Sequence, residues 1–361
     1  MSVFRPGLFK GKVALVTGGA TGIGRAITEE LLALECRVVI ASRKEERLRN
    51  AVQEMCPDSS TLKARVCNIR NETQVKDLIS FTVSEMGKLD FLINNGGGQF
   101  PSGVSEMTLK GWNAVIDTNL NGTFLMCQEA HRQWMAQHGG VIVNIIADMF
   151  RGFPLMAHTG AARAAVENLT KSLSVEWAED GVRINAVAPG SNIYSPTAAS
   201  NYGDLKIFEH VREGIPMKRL GTPQEVSSNV CFLLSPGAAF ITGATFKVDG
   251  GASLYSYLNW KIGDEHDQTF EHGYPIKILT HFDLLVDIKN RRLQDPLTSN
   301  HSSSSSSNHS SSNHSSSSSS NHSSSNHSSS NHSSSNHSNH SSSNHSNHSS
   351  SNHSSSNSNH T

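Results

Sequence analysis

The sequence predicts an α/β protein built on one doubly wound parallel sheet of about seven strands, with helices on both faces. Three observations carry that reading. Short apolar runs alternate with helical stretches of 10 to 20 residues over most of the chain. A glycine-rich turn joins the first run to the first helix, and a later run, "GVIVNII" (140–146), is apolar almost throughout. Strands alternating with helices indicate βαβ units and a parallel sheet, and an unbroken apolar run suits a strand covered on both faces.

The elements follow in order. "KVALVT" is the first strand and "RVVIAS" (37–42) the second, with amphipathic helices after each. "ARVCNI" (64–69) predicts a third strand, "NETQVKDLISFTVSEMG" a helix and "FLINN" (91–95) a fourth strand. A long helix is expected over 111–135, another over 155–179, and "VRINAVAP" (182–189) gives a sixth strand. Residues 191–220 have weaker periodicity and read as a loop-plus-helix lid. Thr222, Pro223 and Glu225 have the order of a capping box with proline at the first helical position. "ATFKVDGG" is the last strand.

Composition then divides the chain. Residues 8–255 form the expected domain, 256–298 repeat none of its pattern, and 299–361 are almost wholly Ser, Asn and His. That tail buries nothing that could offset its ordering entropy and is expected to be disordered. It holds most of the 19 histidines, which read as repeat expansion rather than a metal site.

The charge balance of 30 basic and 31 acidic residues, net −1, shows no basic stripe for nucleic acid and no cationic amphipathic helix for a membrane surface. No segment approaches the ~20 apolar residues of a membrane span, and the N-terminus has no signal-like run. The five cysteines are scattered without CxxC spacing. Free buried thiols in a reducing compartment, with no disulfide framework and no metal site, are therefore expected.

The glycine turn "TGGATGIG" places Gly18, Gly22, Ile23 and Gly24 between strand and helix. Glycine permits the tight turn and the close approach of a phosphate. The following helix N-terminus offers free N–H groups and partial positive charge to a diphosphate. In this strand-turn-helix context the motif is a Rossmann-type dinucleotide site. At the end of the second strand, where an NAD site has an acidic residue for the ribose 2′-hydroxyl, this chain has Ser42, Arg43 and Lys44. Arg43 can stack on adenine and pair with a 2′-phosphate, so NADPH is favoured over NADH. The alternative is a solvated residue at a helix start.

Taken together, "TGGATGIG", "NNGGG" (94–98), "DTNLNGTF" (117–124), "VIVNI" (141–145) and "RINAVAPG" (183–190) make residues 8–255 resemble the short-chain dehydrogenase/reductases. Within that family the chain is most similar to the trans-2-enoyl-CoA reductases of peroxisomes, through "NNGGGQF", "HTGAARAAVENLTKSL" and "YSPTAASNYG". The 2,4-dienoyl-CoA reductases are the nearest competing group. The resemblance implies that Asn95 and Gly96 flank the cofactor ribose and that Pro189 and Gly190 line the nicotinamide. It places Asn119 at the water-ordering asparagine, and Arg163 at the family lysine. Asn68 and Ile69, at the end of the third predicted strand, join the cofactor set.

The departures are equally informative. Ordinary members carry Tyr-x-x-x-Lys where this chain has Thr159 and Arg163, and serine where it has Ile146 and Ala147. Loss of both hydroxyl groups argues against protonation of a carbonyl oxygen. Reduction of an enoyl thioester needs instead a site that stabilises charge on the thioester oxygen. Thr159 and Arg163 lie one turn apart on one helix face, which makes Asn119, Thr159 and Arg163 the candidate catalytic set.

A second register exists: related reductases have a tyrosine where this chain has Glu167, four residues before Lys171. Its distance along the helix from Arg163 favours a structural role. His158, Tyr194 and Tyr202 are further groups with a polar hydrogen, each better suited to packing.

The reading is an NADPH-dependent trans-2-enoyl-CoA reductase of fatty-acid elongation acting on acyl-CoA. Alternatives are a 2,4-dienoyl-CoA or 3-oxoacyl-CoA reductase and a non-catalytic NADPH-binding scaffold. Resemblance adds a homo-oligomer and a peroxisomal location. The chain ends Asn-His-Thr rather than in a Ser-Lys-Leu-like signal, which leaves the cytosol as the alternative.

Overall fold

In the computed structural model the residues described are 2–57, 60–195, 208 and 212–254. The chain divides into two units, Met1–Lys277 and Ile278–Thr361, and every described residue belongs to the first. The expectations for 256–298 and 299–361, for Tyr202 and for most of the lid lie outside the described residues.

Seven parallel strands form one sheet in the order β3-β2-β1-β4-β5-β6-β7. They are β1 Val13–Thr17, β2 Arg37–Ser42, β3 Leu62–Val66, β4 Phe91–Asn94, β5 Gly140–Ile145, β6 Val182–Pro189 and β7 Thr245–Val248. Side chains alternate across the pleat, and the apolar runs use both faces. Ala14, Val16, Val38 and Ile40 face helices α1 (Gly22–Ala33), α2 (Glu45–Met55) and α8 (Pro223–Leu234) through Ile27, Leu31, Leu48, Val226 and Val230. Val13, Leu15, Val39, Leu92 and Ile142 face α3 (Glu72–Met86), α5 (Gly122–Ala130) and α7 (Ala157–Glu176) through Val75, Ile79, Met126 and Leu173. Strand order reverses between β1 and β4, which pair directly. The crevice at the carboxyl ends of those strands is where such sheets bind ligands.

Two elements differ from expectation. The third strand ends at Val66 rather than residue 69, because its partner β2 leaves the sheet after Ser42, opposite Val66. Cys67 N–H makes a last bond to Ser42 O at 3.0 Å, and Asn68 and Ile69 therefore lie in a turn. The long helix starts at α4 (Leu109–Ile116), where the Thr108 side chain accepts from Gly111 N. It passes through π-helical turns at Asp117–Asn121 and His131–Met135 on either side of α5, and ends in α6, Ala136–His138. Thr222 and Glu225 form the expected capping box at α8, with Pro223 in its first turn.

Four of the free cysteines are buried and Cys56 is half-buried. Among the described residues no helix is long and apolar enough to cross a membrane, and no cluster of His, Cys, Asp or Glu could hold a metal ion.

Candidate active site

The glycine turn sits at the carboxyl end of β1. Gly18 and Gly22 have φ values of +68° and +55°, backbone that disfavours a side chain. A Cβ on Gly24 would lie 2.2 Å from Gly18 O, so only glycine lets α1 approach the turn this closely. Thr21 precedes α1 without a side-chain cap, and the first helical N–H to reach a carbonyl is Arg25 on Thr21 O at 3.1 Å. The N–H groups of Gly22, Ile23 and Gly24 are left to an anion. Beyond β2, Arg43 is exposed and forms no hydrogen bond or ion pair among the described residues. Ser42 Oγ accepts from Lys44 N at 3.3 Å. Uncapped N–H groups, a glycine cradle and a free cation fit a phosphorylated dinucleotide.

The structure gives some of the expected cofactor residues a supporting part. Asn95 Nδ2 donates to Thr17 O at 3.0 Å, which braces the turn from behind. Thr17 Oγ1 accepts from the N–H groups of Asn95 (3.0 Å) and Gly96 (2.8 Å). Asn68 shapes the turn after β3, its O accepting from Asn71 N at 2.8 Å. Ile69 packs where a Cβ on Gly96 or Gly122 would lie.

The candidate catalytic residues come together. Asn119 lies in the first π turn and is fully buried. Its Oδ1 accepts from Gly98 N (2.9 Å), and its Nδ2 donates to Gly98 O (3.0 Å) and Thr159 Oγ1 (2.8 Å). π turns often mark functional sites because they rotate one side chain out of helical register. Thr159 is 0% exposed, so its hydroxyl is a second layer behind Asn119. Arg163 is 8% exposed and donates through Nη1 to Ile145 O at the end of β5. Burial pushes its guanidinium down to about 10 from the ordinary 12.5, which leaves it cationic at neutral pH without a carboxylate partner among the described residues. A Cβ on Gly97 would lie 2.3 Å from Arg163 Nη2 and 3.1 Å from Asn119 Oδ1. The middle glycine of "NNGGG" is therefore what brings these two side chains against the loop after β4.

The second register lies elsewhere. Glu167 pairs with Lys171 at 3.1 Å and accepts from Thr245 Oγ1 at 3.3 Å, tying α7 to the edge strand β7. Ile146 is core, packed with Met149 and Val166. Tyr194 meets Phe208 edge-on. His158 is buried, with Nδ1 accepting from Thr159 N at 2.9 Å and its ring against Phe100.

Sequence reasoning missed several supports. Asn94 Nδ2 donates to Asn144 Oδ1 and Asn144 Nδ2 to Thr170 Oγ1, both at 2.9 Å, inside the core. This bridge fixes α7 against β4 and β5, and so fixes where Arg163 lands. Polar residues inside the apolar runs "FLINN" and "VIVNI" were the available signal. Asp148 N–H bonds Pro189 O at 3.1 Å, and burial, with Asp249 nearby, raises its carboxyl above the usual range.

The chain resembles known proteins across this same region. A family model described as Enoyl-(Acyl carrier protein) reductase matches residues 18–253. A probable 2,4-dienoyl-CoA reductase of Bacillus subtilis is 35% identical over 68% of this chain and 98% of its own. A peroxisomal 2,4-dienoyl-CoA reductase of Saccharomyces cerevisiae is 32% identical over 69% and 86%. Among solved structures, a citronellol catabolism dehydrogenase of Pseudomonas aeruginosa superposes with a TM-score of 0.63 at 44% identity, covering 70% of this chain and 99% of that one. An actinorhodin polyketide ketoreductase solved with NADPH gives 0.64 at 32%, covering 68% and 98%.

Proposed function

The chain belongs to the short-chain dehydrogenase/reductase family of oxidoreductases, and from that premise we propose that it reduces the conjugated double bond of a trans-2-enoyl-CoA with NADPH. The observation that carries the reading is the buried Asn119–Thr159 bond at the place where a carbonyl reductase has its tyrosine acid. This chain has a charge-bearing Arg163 there and no phenol.

When bound, NADPH supplies the hydride. Gly18, Gly22, Ile23 and Gly24 hold its diphosphate, Arg43 its 2′-phosphate, and Pro189 with Gly190 the nicotinamide. Reduction of the β-carbon moves charge onto the thioester oxygen of the substrate, as an enolate, and the α-carbon then takes a proton from water. Arg163 supplies a positive field in a site of low dielectric, where it acts more strongly than in water. Asn119 and Thr159 keep the loop at Gly97 and Gly98 in place. The reaction suits fatty-acid chain elongation. The yeast relative supports a peroxisomal setting, and the long helix from α4 to α6 together with α7 offers faces for a homo-oligomer.

A second reading is reduction of 2,4-dienoyl-CoA, favoured by the names of the relatives. NADPH oxidation with a panel of trans-2-enoyl-CoA, 2,4-dienoyl-CoA and 3-oxoacyl-CoA separates the readings. Turnover of the enoyl thioester and not the oxo thioester supports the proposal. Turnover of the dienoyl thioester alone supports the second reading. NADPH binding without any turnover identifies a scaffold.

A further inference from the structure

A buried side-chain acceptor without a donor sits beside the residues assigned to the nicotinamide. After β6 the backbone is pinned on both sides: Gly190 N–H bonds Val248 O (3.0 Å), Gly221 N–H bonds Asn192 O (3.0 Å) and Tyr194 N–H bonds Gly221 O (2.9 Å). Asn192 is held on this platform at 2% exposure. Its Nδ2 donates to Asp249 O at 2.6 Å, and a backbone carbonyl accepts only, so the sense of the amide is fixed. That leaves Oδ1 buried, with no hydrogen-bond donor among the described residues. Native interiors seldom leave such an atom unmatched.

The position of the orphan atom identifies what would match it. A Cβ on Gly190 would lie 2.1 Å from Asn192 Oδ1, so the amide oxygen occupies space that only glycine leaves open. Asn192 also lines a cavity of about 480 Å³ with Ile193, Lys247, Asp249 and Gly251. A ligand against Pro189 and Gly190 therefore meets an acceptor and has to bring an N–H or O–H. The carboxamide of nicotinamide is a group with two N–H donors.

We propose that Asn192 Oδ1 accepts a hydrogen bond from the nicotinamide carboxamide, which makes Asn192 a positioning residue that orients the ring. This rests on the cofactor site proposed above, and the test separates the two.

The test uses the full-length protein and fluorescence titration, with no turnover. The ligands are NADPH, the reduced 3-acetylpyridine analogue of NADP, whose acetyl group has no N–H, and 2′-phospho-ADP-ribose, which has no ring. Wild-type protein should bind NADPH about tenfold more tightly than the acetyl analogue, and Asn192→Ala should abolish that difference while leaving 2′-phospho-ADP-ribose within about twofold. Equal wild-type affinity for NADPH and the analogue overturns the proposal without any variant. A variant that loses all three ligands alike assigns Asn192 a purely structural part and also overturns it. Failure of wild-type protein to bind 2′-phospho-ADP-ribose would instead overturn the cofactor site itself.

Discussion

Asn119 Nδ2 and Thr159 Oγ1 are 2.8 Å apart, and this one bond joins the π turn after α4 to the first turn of α7. Both residues are fully buried. Thr159→Val keeps the shape and removes the acceptor, leaving an amide N–H with one partner fewer. The expected loss is about 1–3 kcal/mol of stability, together with a fall in kcat that leaves NADPH affinity nearly unchanged. Thermal unfolding and turnover of Thr159→Val, Asn119→Ala and the double variant check this. The two substitutions should be non-additive by about 0.5–3 kcal/mol, as for residues in one network. Additive losses would dissolve the link.

Arg43 stands free at the end of β2, and no carboxylate replaces it as a ribose ligand. Arg43→Ala should weaken NADPH by about 1.5–3 kcal/mol, the range for a hydrogen bond to a charged group, and leave NADH unchanged. Titration with both cofactors reads the ratio. An unaltered NADPH/NADH preference contradicts a 2′-phosphate at Arg43.

How far the sequence foretold this site depends on the kind of signal. The phosphate turn was legible because its glycines are demanded by backbone geometry within a strand-turn-helix unit, and Gly18 and Gly22 do adopt positive φ. The seven strands were legible because most are buried on both faces. The end of β3 was misplaced by periodicity, since it is set by where β2 turns away. The π turn around Asn119 was illegible, because an inserted helical residue leaves the apolar pattern almost unchanged. Residues that act across the fold were also invisible. Asn144 reads as a polar interruption in a strand until Asn94 and Thr170 are seen on either side of it. Glu167 illustrates the reverse: in sequence it occupies a suspicious register, while in space it serves Lys171 and Thr245.

Arg163 is a buried cation held for function at the expense of stability. Burial lowers its folded-state value to about 10 from 12.5. The destabilisation is complete below about 10 and relaxes only as pH rises toward 12.5. Arg163→Met should raise the stability of the ligand-free protein by about 1–3 kcal/mol at neutral pH, while weakening NADPH binding. Chemical denaturation at pH 7 measures the first effect and titration the second. A variant less stable than wild type would mean that the bond to Ile145 O outweighs the buried charge.

The central claim is that chemistry belongs to the Thr159–Arg163 register rather than the Glu167–Lys171 register. The most direct measurement is NADPH oxidation by the full-length protein with a trans-2-enoyl-CoA, comparing wild type, Arg163→Ala and Glu167→Gln. The account predicts turnover by wild type, retention of most of it in Glu167→Gln, and a loss of at least about a hundredfold in Arg163→Ala, the scale of removing one electrostatic stabiliser. Full activity in Arg163→Ala, or loss of activity confined to Glu167→Gln, would contradict it.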